Sequence, residues 1–130
     1  MRTAREVNDA KPGVVLGAIR KAASAFGSPV VACLGLAFKP DIDDLRHSPA
    51  LDIATALADA ALGELLVVEP HIEALPATLA GRQGVRLVSV EEAIAKADVV
   101  ALLVNHRAFA GIEPQQLARK TVVNACGWRQ

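Results

Sequence analysis

Short apolar runs recur along this chain at residues 30–34, 65–68, 85–88, 98–104 and 121–124, and stretches of helical character separate several of them. A short continuous apolar run such as Val30-Val31-Ala32-Cys33-Leu34 reads as a strand covered on both faces, because a half-exposed strand would alternate apolar with polar residues. The run at 85–88, interrupted by Arg86, reads as a weaker strand. The strongest is Asp98-Val99-Val100-Ala101-Leu102-Leu103-Val104. Residues 3–26 read as a helix, with Val7, Val14, Val15, Ile19, Ala22 and Phe26 on a broad stripe and Gly27 at its end. Pro12 and Gly13 weaken its first half, so a kink or break is expected there. A second helix is predicted over 48–62, opened by Ser48 as N-cap and Pro49 in the first position. Leu51, Ala54, Thr55 and Ala58 are its predicted inward face, and Gly63 its stop. A third starts at Ser89, with Glu91 and Glu92 placed favourably in its first turn. Residues 72–79 read as a short helix or turn, and 114–118 as a short helix. Strands alternating with helices imply βαβ units. The predicted fold is a Rossmann-like, doubly wound, five-stranded parallel α/β sheet with helices on both faces, preceded by the N-terminal helix. At 130 residues this is one domain, and with 3% aromatic residues its core must be filled by aliphatic side chains.

Charge narrows the partners. Lys+Arg and Asp+Glu both number 14, so no basic face is expected for nucleic acid or an anionic membrane. Aromatic side chains for stacking on bases are scarce as well. No apolar stretch approaches the roughly 20 residues that span a bilayer, and the N-terminus is polar up to Gly13, unlike a signal peptide. Cys33 lies in an apolar run and reads as a small buried residue; Cys126 completes no disulfide pattern. Neither has a neighbouring cysteine or histidine at zinc spacing, and the three histidines are far apart in sequence, so no metal site is expected. A reduced, cytoplasmic setting is the expectation.

In a doubly wound sheet of the commonest order, ligands bind beyond the carboxyl ends of the first and fourth strands, where the winding reverses. Two loops are therefore of interest, 35–47 and 105–109. Gly35 at a strand end permits a sharp turn and a close backbone approach. Lys39 and Arg46 flank a helix start, expected to be exposed, whose N–H groups and dipole favour an anion. Phe38 offers a face for a planar base or sugar. Together these residues fit a diphosphate site. They equally fit a solvated connector in which Asp41, Asp43 and Asp44 pair with the two cations, and Phe38 taken alone reads better as a loop anchor. The loop is not a dinucleotide fingerprint, since Gly35 lacks the two following glycines. Glu69 resembles a ribose-binding acid by position, but without the glycines it reads as a structural carboxylate. His47 and His106 read as solvated loop residues, Ser48 as a cap rather than a nucleophile, and Trp128 as cover for an apolar edge. No catalytic residue is assigned.

The segment Gly35-Leu36-Ala37-Phe38-Lys39, with Asp44-Leu45-Arg46-His47-Ser48-Pro49, resembles the signature of the C-terminal domain of the UDP-glucose/GDP-mannose dehydrogenase family. Residues 4–12 resemble the end of that family's central helical domain, Glu69-Pro70-His71 its second-strand end, and 98–106 its fourth strand and following loop. The wording of 42–46 and 68–70 is most similar to the UDP-N-acetylmannosamine dehydrogenase branch. The resemblance implies a connecting helix over 1–27 and a UDP-sugar-binding domain over 28–130. It implies a whole enzyme in which a separate Rossmann domain binds NAD, and a cysteine carries the two-step oxidation of a sugar C6 alcohol to a carboxylate. Phe38 and Lys39 then match residues that contact the UDP-sugar, Gly35 is assigned with them to the substrate-binding site, and Arg46 matches an arginine reaching the NAD. The expected partners are a UDP-sugar, the remaining domains of the dehydrogenase and further copies of the chain. The family's catalytic cysteine has no match here, so the isolated chain is expected to be inactive and not to bind NAD alone. Asn124-Ala125-Cys126-Gly127 departs from the acid, small residue and base the family often places there.

Two other readings stand beside this one. A non-catalytic Rossmann-like module could use its first helix for association, since the stripe over residues 7–26 needs something to pack against. A stand-alone nucleotide enzyme lacks any acid, base or metal set.

Overall fold

A computed structural model describes residues 4–6, 12–37 and 48–126. Six parallel strands form one sheet: β1 (Ala4–Glu6), β2 (Val30–Leu34), β3 (Glu64–Val68), β4 (Val85–Leu87), β5 (Val99–Leu102) and β6 (Thr121–Asn124). Three helices accompany them: α1 (Pro12–Ala23), α2 (Pro49–Ala60) and α3 (Val90–Lys96). The spatial order is β1-β6-β5-β2-β3-β4. The five expected strands are all present and wound in both directions from β2, so the doubly wound parallel fold is as the sequence implies. The sixth, β1, is an addition. Residues 4–6 were expected in a helix, yet they pair with β6 in the register Ala4–Val122 to Glu6–Asn124. The described helix is Pro12–Ala23, opening at the residue where a kink or break was expected; proline in a first turn sacrifices no intrahelical bond.

Alternation along the strands sorts side chains to two cores. Val31 and Cys33 of β2, Leu65 and Val67 of β3, and Val99 and Ala101 of β5 face α1 and α2, meeting Val15, Ile19, Ile53 and Leu57. Ala32, Leu34, Leu66, Val68, Val100 and Leu102 face the other way, onto Ala93 and Ile94 of α3 and onto Phe109 and Ile112. Each face is therefore dry, and this explains the unbroken apolar runs. At the amino end, Asp98 ties the two central strands: its N–H donates to the Val30 carbonyl at 2.8 Å, and its carboxylate accepts from the Val30 N–H at 3.0 Å.

Helix α2 starts as expected. Ser48 Oγ accepts from the Leu51 N–H at 3.2 Å, and Pro49 fills the first position. Its inward face is turned by about one residue from the predicted one. Ala50, Ile53, Ala54 and Leu57 are buried, while Leu51, Thr55 and Ala58 are only half-buried. The bulkier Ile53 and Leu57, one turn apart, take the core position. Its end also differs from the expectation at Gly63. Ala61, at φ +50, is the left-handed cap, its N–H bonded to the Leu57 and Ala58 carbonyls. Gly63 serves another purpose, since a Cβ there would collide with the Pro29 carbonyl. Residues 114–117 form a 3₁₀ turn rather than an α-helix, and 72–79 form turns.

Candidate functional site at the reversal of the sheet

The winding reverses between β2 and β5, adjacent strands that leave in opposite directions to β3 and β6. Beyond their carboxyl ends lie the turn starting at Gly35 and the loop running through Val104 to a 3₁₀ turn at Arg107–Phe109. Gly35 has φ +99, a conformation that L side chains rarely adopt. It is also in close contact: a Cβ built there lies 2.5 Å from Val104 Cβ. The Leu103 and Val104 N–H groups both donate to the Leu34 carbonyl, at 3.0 and 3.2 Å. The two crevice loops thus press directly together, which is why only glycine fits.

Glu69, one residue past β3, organises the turn from the other side. Its Oε1 accepts from the Leu36 N–H at 2.8 Å, the Ala37 N–H at 3.1 Å and His106 Nε2 at 2.8 Å. Its Oε2 accepts from the His71 N–H at 3.1 Å. Glu69 and His106 are both buried, with no side-chain exposure. A buried carboxylate is tolerated because its oxygens face donors from several directions. The His106 ring packs edge-on against His71 and Phe109, with centroids 4.8 and 5.5 Å away. Ser48 is buried too, its hydroxyl donating to the Leu36 carbonyl at 2.5 Å. The helix start therefore sits beneath the turn, with Ser48 enclosed rather than exposed as expected.

These contacts test the sequence assignments. Gly35 stands where expected, at the strand end facing the crevice. Phe38, Lys39, Arg46, His47 and Trp128 lie outside the described residues. Glu69 is the structural carboxylate it was read as. His106 corrects the expectation of a solvated loop histidine: it is among the largest fully buried side chains. The pairing escaped sequence reading because 37 positions separate the two residues. The signal was nonetheless present. β2 lies between β3 and β5, so residues just past β3 and β5 meet over its end. Glu69, His71 and His106 also bring possible metal-ligand atoms within 4.8 Å of one another. In that group Glu69 Oε1 is already within hydrogen-bond distance of three nitrogens. Cys126 is half-buried, with its Sγ 3.8 Å from Asn124 Oδ1. Cys33 lies in the core, where burial pushes its thiol pKa up to about 12.

The turn at Leu36 and Ala37 is not built as a dinucleotide fingerprint. In a Rossmann fingerprint the turn amides face the pyrophosphate, whereas here the Leu36 and Ala37 N–H groups are directed at Glu69.

Residues 32–127 match the family model described as the UDP binding domain of the UDP-glucose/GDP-mannose dehydrogenase family. The chain is 50% identical to an NDP-N-acetyl-D-galactosaminuronic acid dehydrogenase of Ralstonia nicotianae, over 98% of its own length and 29% of that protein's. It is 49% identical to a UDP-N-acetyl-D-mannosamine dehydrogenase of Campylobacter jejuni, over 90% of its length and 29% of the relative's. Among solved structures, a UDP-glucose dehydrogenase of Pyrobaculum islandicum superposes with a TM-score of 0.74 at 21% identity, covering 92% of this chain and 27% of that one. That last likeness concerns the fold alone. The chain thus spans just under a third of the curated relatives it matches. With a match over nearly all of the sheet and its central crevice, this chain belongs to the UDP-glucose/GDP-mannose dehydrogenase family and carries that family's UDP-binding domain.

Proposed function

We propose that this chain forms the nucleotide-binding half of the substrate cleft in an NAD-dependent UDP-sugar 6-dehydrogenase, of the type that converts UDP-N-acetylmannosamine to its uronate. The observation carrying this reading is the family match over residues 32–127, laid on a reversal point where Gly35 is forced by contact with Val104. The relatives at 49–50% identity are named as dehydrogenases of N-acetylated sugar nucleotides, which supports the substrate class.

In this reading Phe38 lies against the UDP-sugar and Lys39 offers a point charge to its diphosphate. Both follow directly in sequence on the turn that Glu69 holds. Arg46 reaches across the cleft toward NAD. The NAD itself is held by another part of the longer protein, since the turn amides here are directed at Glu69. The oxidation depends on NAD as hydride acceptor and on a nucleophile outside this chain; what these residues do is bind and orient the nucleotide. The isolated chain therefore turns over no substrate. No helix among the described residues is long and apolar enough to cross a membrane, and the working location we assign is the cytoplasm. Assembly with the remaining dehydrogenase domains and with further copies of the chain completes the cleft.

Titration with UDP, followed by amide NMR, tests the reading. Binding in the millimolar range or tighter should perturb residues 35–49, and a Lys39→Ala, Arg46→Ala double variant should weaken it at least tenfold. This rests on the phosphate contact of Lys39 together with loss of the Arg46 charge from the same loop, worth about 1.4 kcal/mol or more together. Absence of binding at millimolar UDP would refute the half-site. A chain that self-associates without binding UDP would favour the alternative role as an interaction module.

A further inference from the structure

The hydrogen-bonded pair of Glu69 and His106 has no place in the nucleotide contacts above. Both side chains are fully enclosed, so neither can touch a ligand in the crevice. They nevertheless join three segments. Glu69 follows β3, its Oε1 takes the Leu36 and Ala37 N–H groups, and the same oxygen accepts from His106 in the loop after β5. Phe38 and Lys39 are the next residues in the chain after Ala37. We propose that Glu69 and His106 are positioning residues for nucleotide binding: the pair presets the turn that launches Phe38 and Lys39, and fixes it relative to the loop across the crevice.

The geometry assigns each partner a task. Among the described residues the partners of Glu69 are three backbone N–H donors and a His106 nitrogen, so an ionised carboxylate satisfies all four bonds, whereas an amide would turn its own N–H₂ toward a donor. Toward an ionised Glu69 oxygen 2.8 Å away, His106 Nε2 can act only as donor, and such a charge-assisted bond is stronger than a neutral one. Its backbone is anchored independently, by its N–H on the Val104 carbonyl at 3.0 Å and its carbonyl on the Phe109 N–H at 3.1 Å. Removing the ring donor therefore leaves the loop after β5 in place but frees Glu69 to shift, and the Leu36 and Ala37 amides with it. A preset turn avoids the ordering cost that a loose one incurs on binding.

The inference rests on the proposed UDP half-site, and the experiment separates the two. His106→Leu removes the donor and keeps an apolar filling. His106→Gln places an amide N–H₂ near the position of Nε2. Hydrogen exchange at Leu36 and Ala37 is measured without ligand, with Val67 and Val100 as internal references, and UDP affinity is then measured on the same samples. In His106→Leu, exchange at Leu36 and Ala37 should quicken at least tenfold relative to the references, in line with loss of about 1.4 kcal/mol in a charge-assisted bond. UDP affinity should fall on the order of tenfold in parallel, and His106→Gln should restore both. A uniform rise in exchange at all four amides would show a general loss of stability and overturn the positioning role. Local exchange that quickens while UDP affinity stays unchanged would overturn it as well. If the unaltered chain binds no UDP, the half-site reading fails first and the positioning role fails with it.

Discussion

A side chain at position 35 has nowhere to go. A Cβ on Gly35 would lie 2.5 Å from Val104 Cβ and 3.0 Å from both Val104 Cγ2 and the Val104 nitrogen. Carbon atoms in comfortable contact stand about 3.5–4.0 Å apart, so an overlap of about 1 Å must be relieved. Val104 cannot easily retreat, because it is buried and its N–H is bonded to the Leu34 carbonyl at 3.2 Å. The turn cannot easily relax either, since Gly35 N–H donates to the Val68 carbonyl at 2.7 Å and Glu69 holds the next two amides. Left-handed backbone costs an alanine about 1–2 kcal/mol, and overpacking typically adds about 1–3 kcal/mol. Gly35→Ala should therefore destabilise the chain by about 3 kcal/mol, which lowers Tm by roughly 10 °C at this size. Equilibrium unfolding in urea, with the slope checked for constancy, reads the loss directly. A second variant identifies the cause. Val104→Ala removes Cγ2 but keeps the Cβ and nitrogen that are in the way, so it should not rescue Gly35→Ala. Val104→Gly removes the nearest atom and should show a favourable coupling of about 1 kcal/mol in the double-mutant cycle. A loss below about 1 kcal/mol for Gly35→Ala, or rescue by Val104→Ala, would refute the steric argument.

Ser48→Ala removes a helix cap and a buried hydroxyl donor to Leu36 together; a loss of about 1–3 kcal/mol is expected in urea unfolding, and a loss near zero would mean that the cap is replaced by another group. Cys33 gives a signature at alkaline pH. Its thiol pKa is raised in the folded state from 9.0 to about 12. The folded chain therefore favours the protonated form; this stability is fully present below pH 9 and is lost as pH rises toward 12. Unfolding free energy should fall by about 1.4 kcal/mol per pH unit across that window from this group. Cys33→Ala should flatten the slope by that amount between pH 9 and 10.5, and an unchanged slope would show that other groups dominate.

Much of the fold was legible because its signals are local. Five apolar runs announced five strands, and Ser48-Pro49 and Ser89 announced helix starts. Such signals depend on a residue's own conformational preferences and on neighbours within a turn or two. The motif around Gly35 was equally readable, since an isolated glycine at a strand end implies a tight approach. The roles of Phe38, Lys39 and Arg46 rest on that motif and on the family match over residues 32–127. What the tertiary structure decided depended on neighbours far along the chain. Residues 4–6 became a strand because β6 offered an edge whose backbone groups they could pair with. Gly63 proved necessary for the passage of Pro29, while Ala61 took the left-handed cap. The histidine expected in solvent became the buried partner of Glu69. No local preference of either residue encodes that pairing. It exists because β2 is inserted between β3 and β5, so that two polar side chains 37 positions apart are sealed over the same strand end within hydrogen-bond distance of each other.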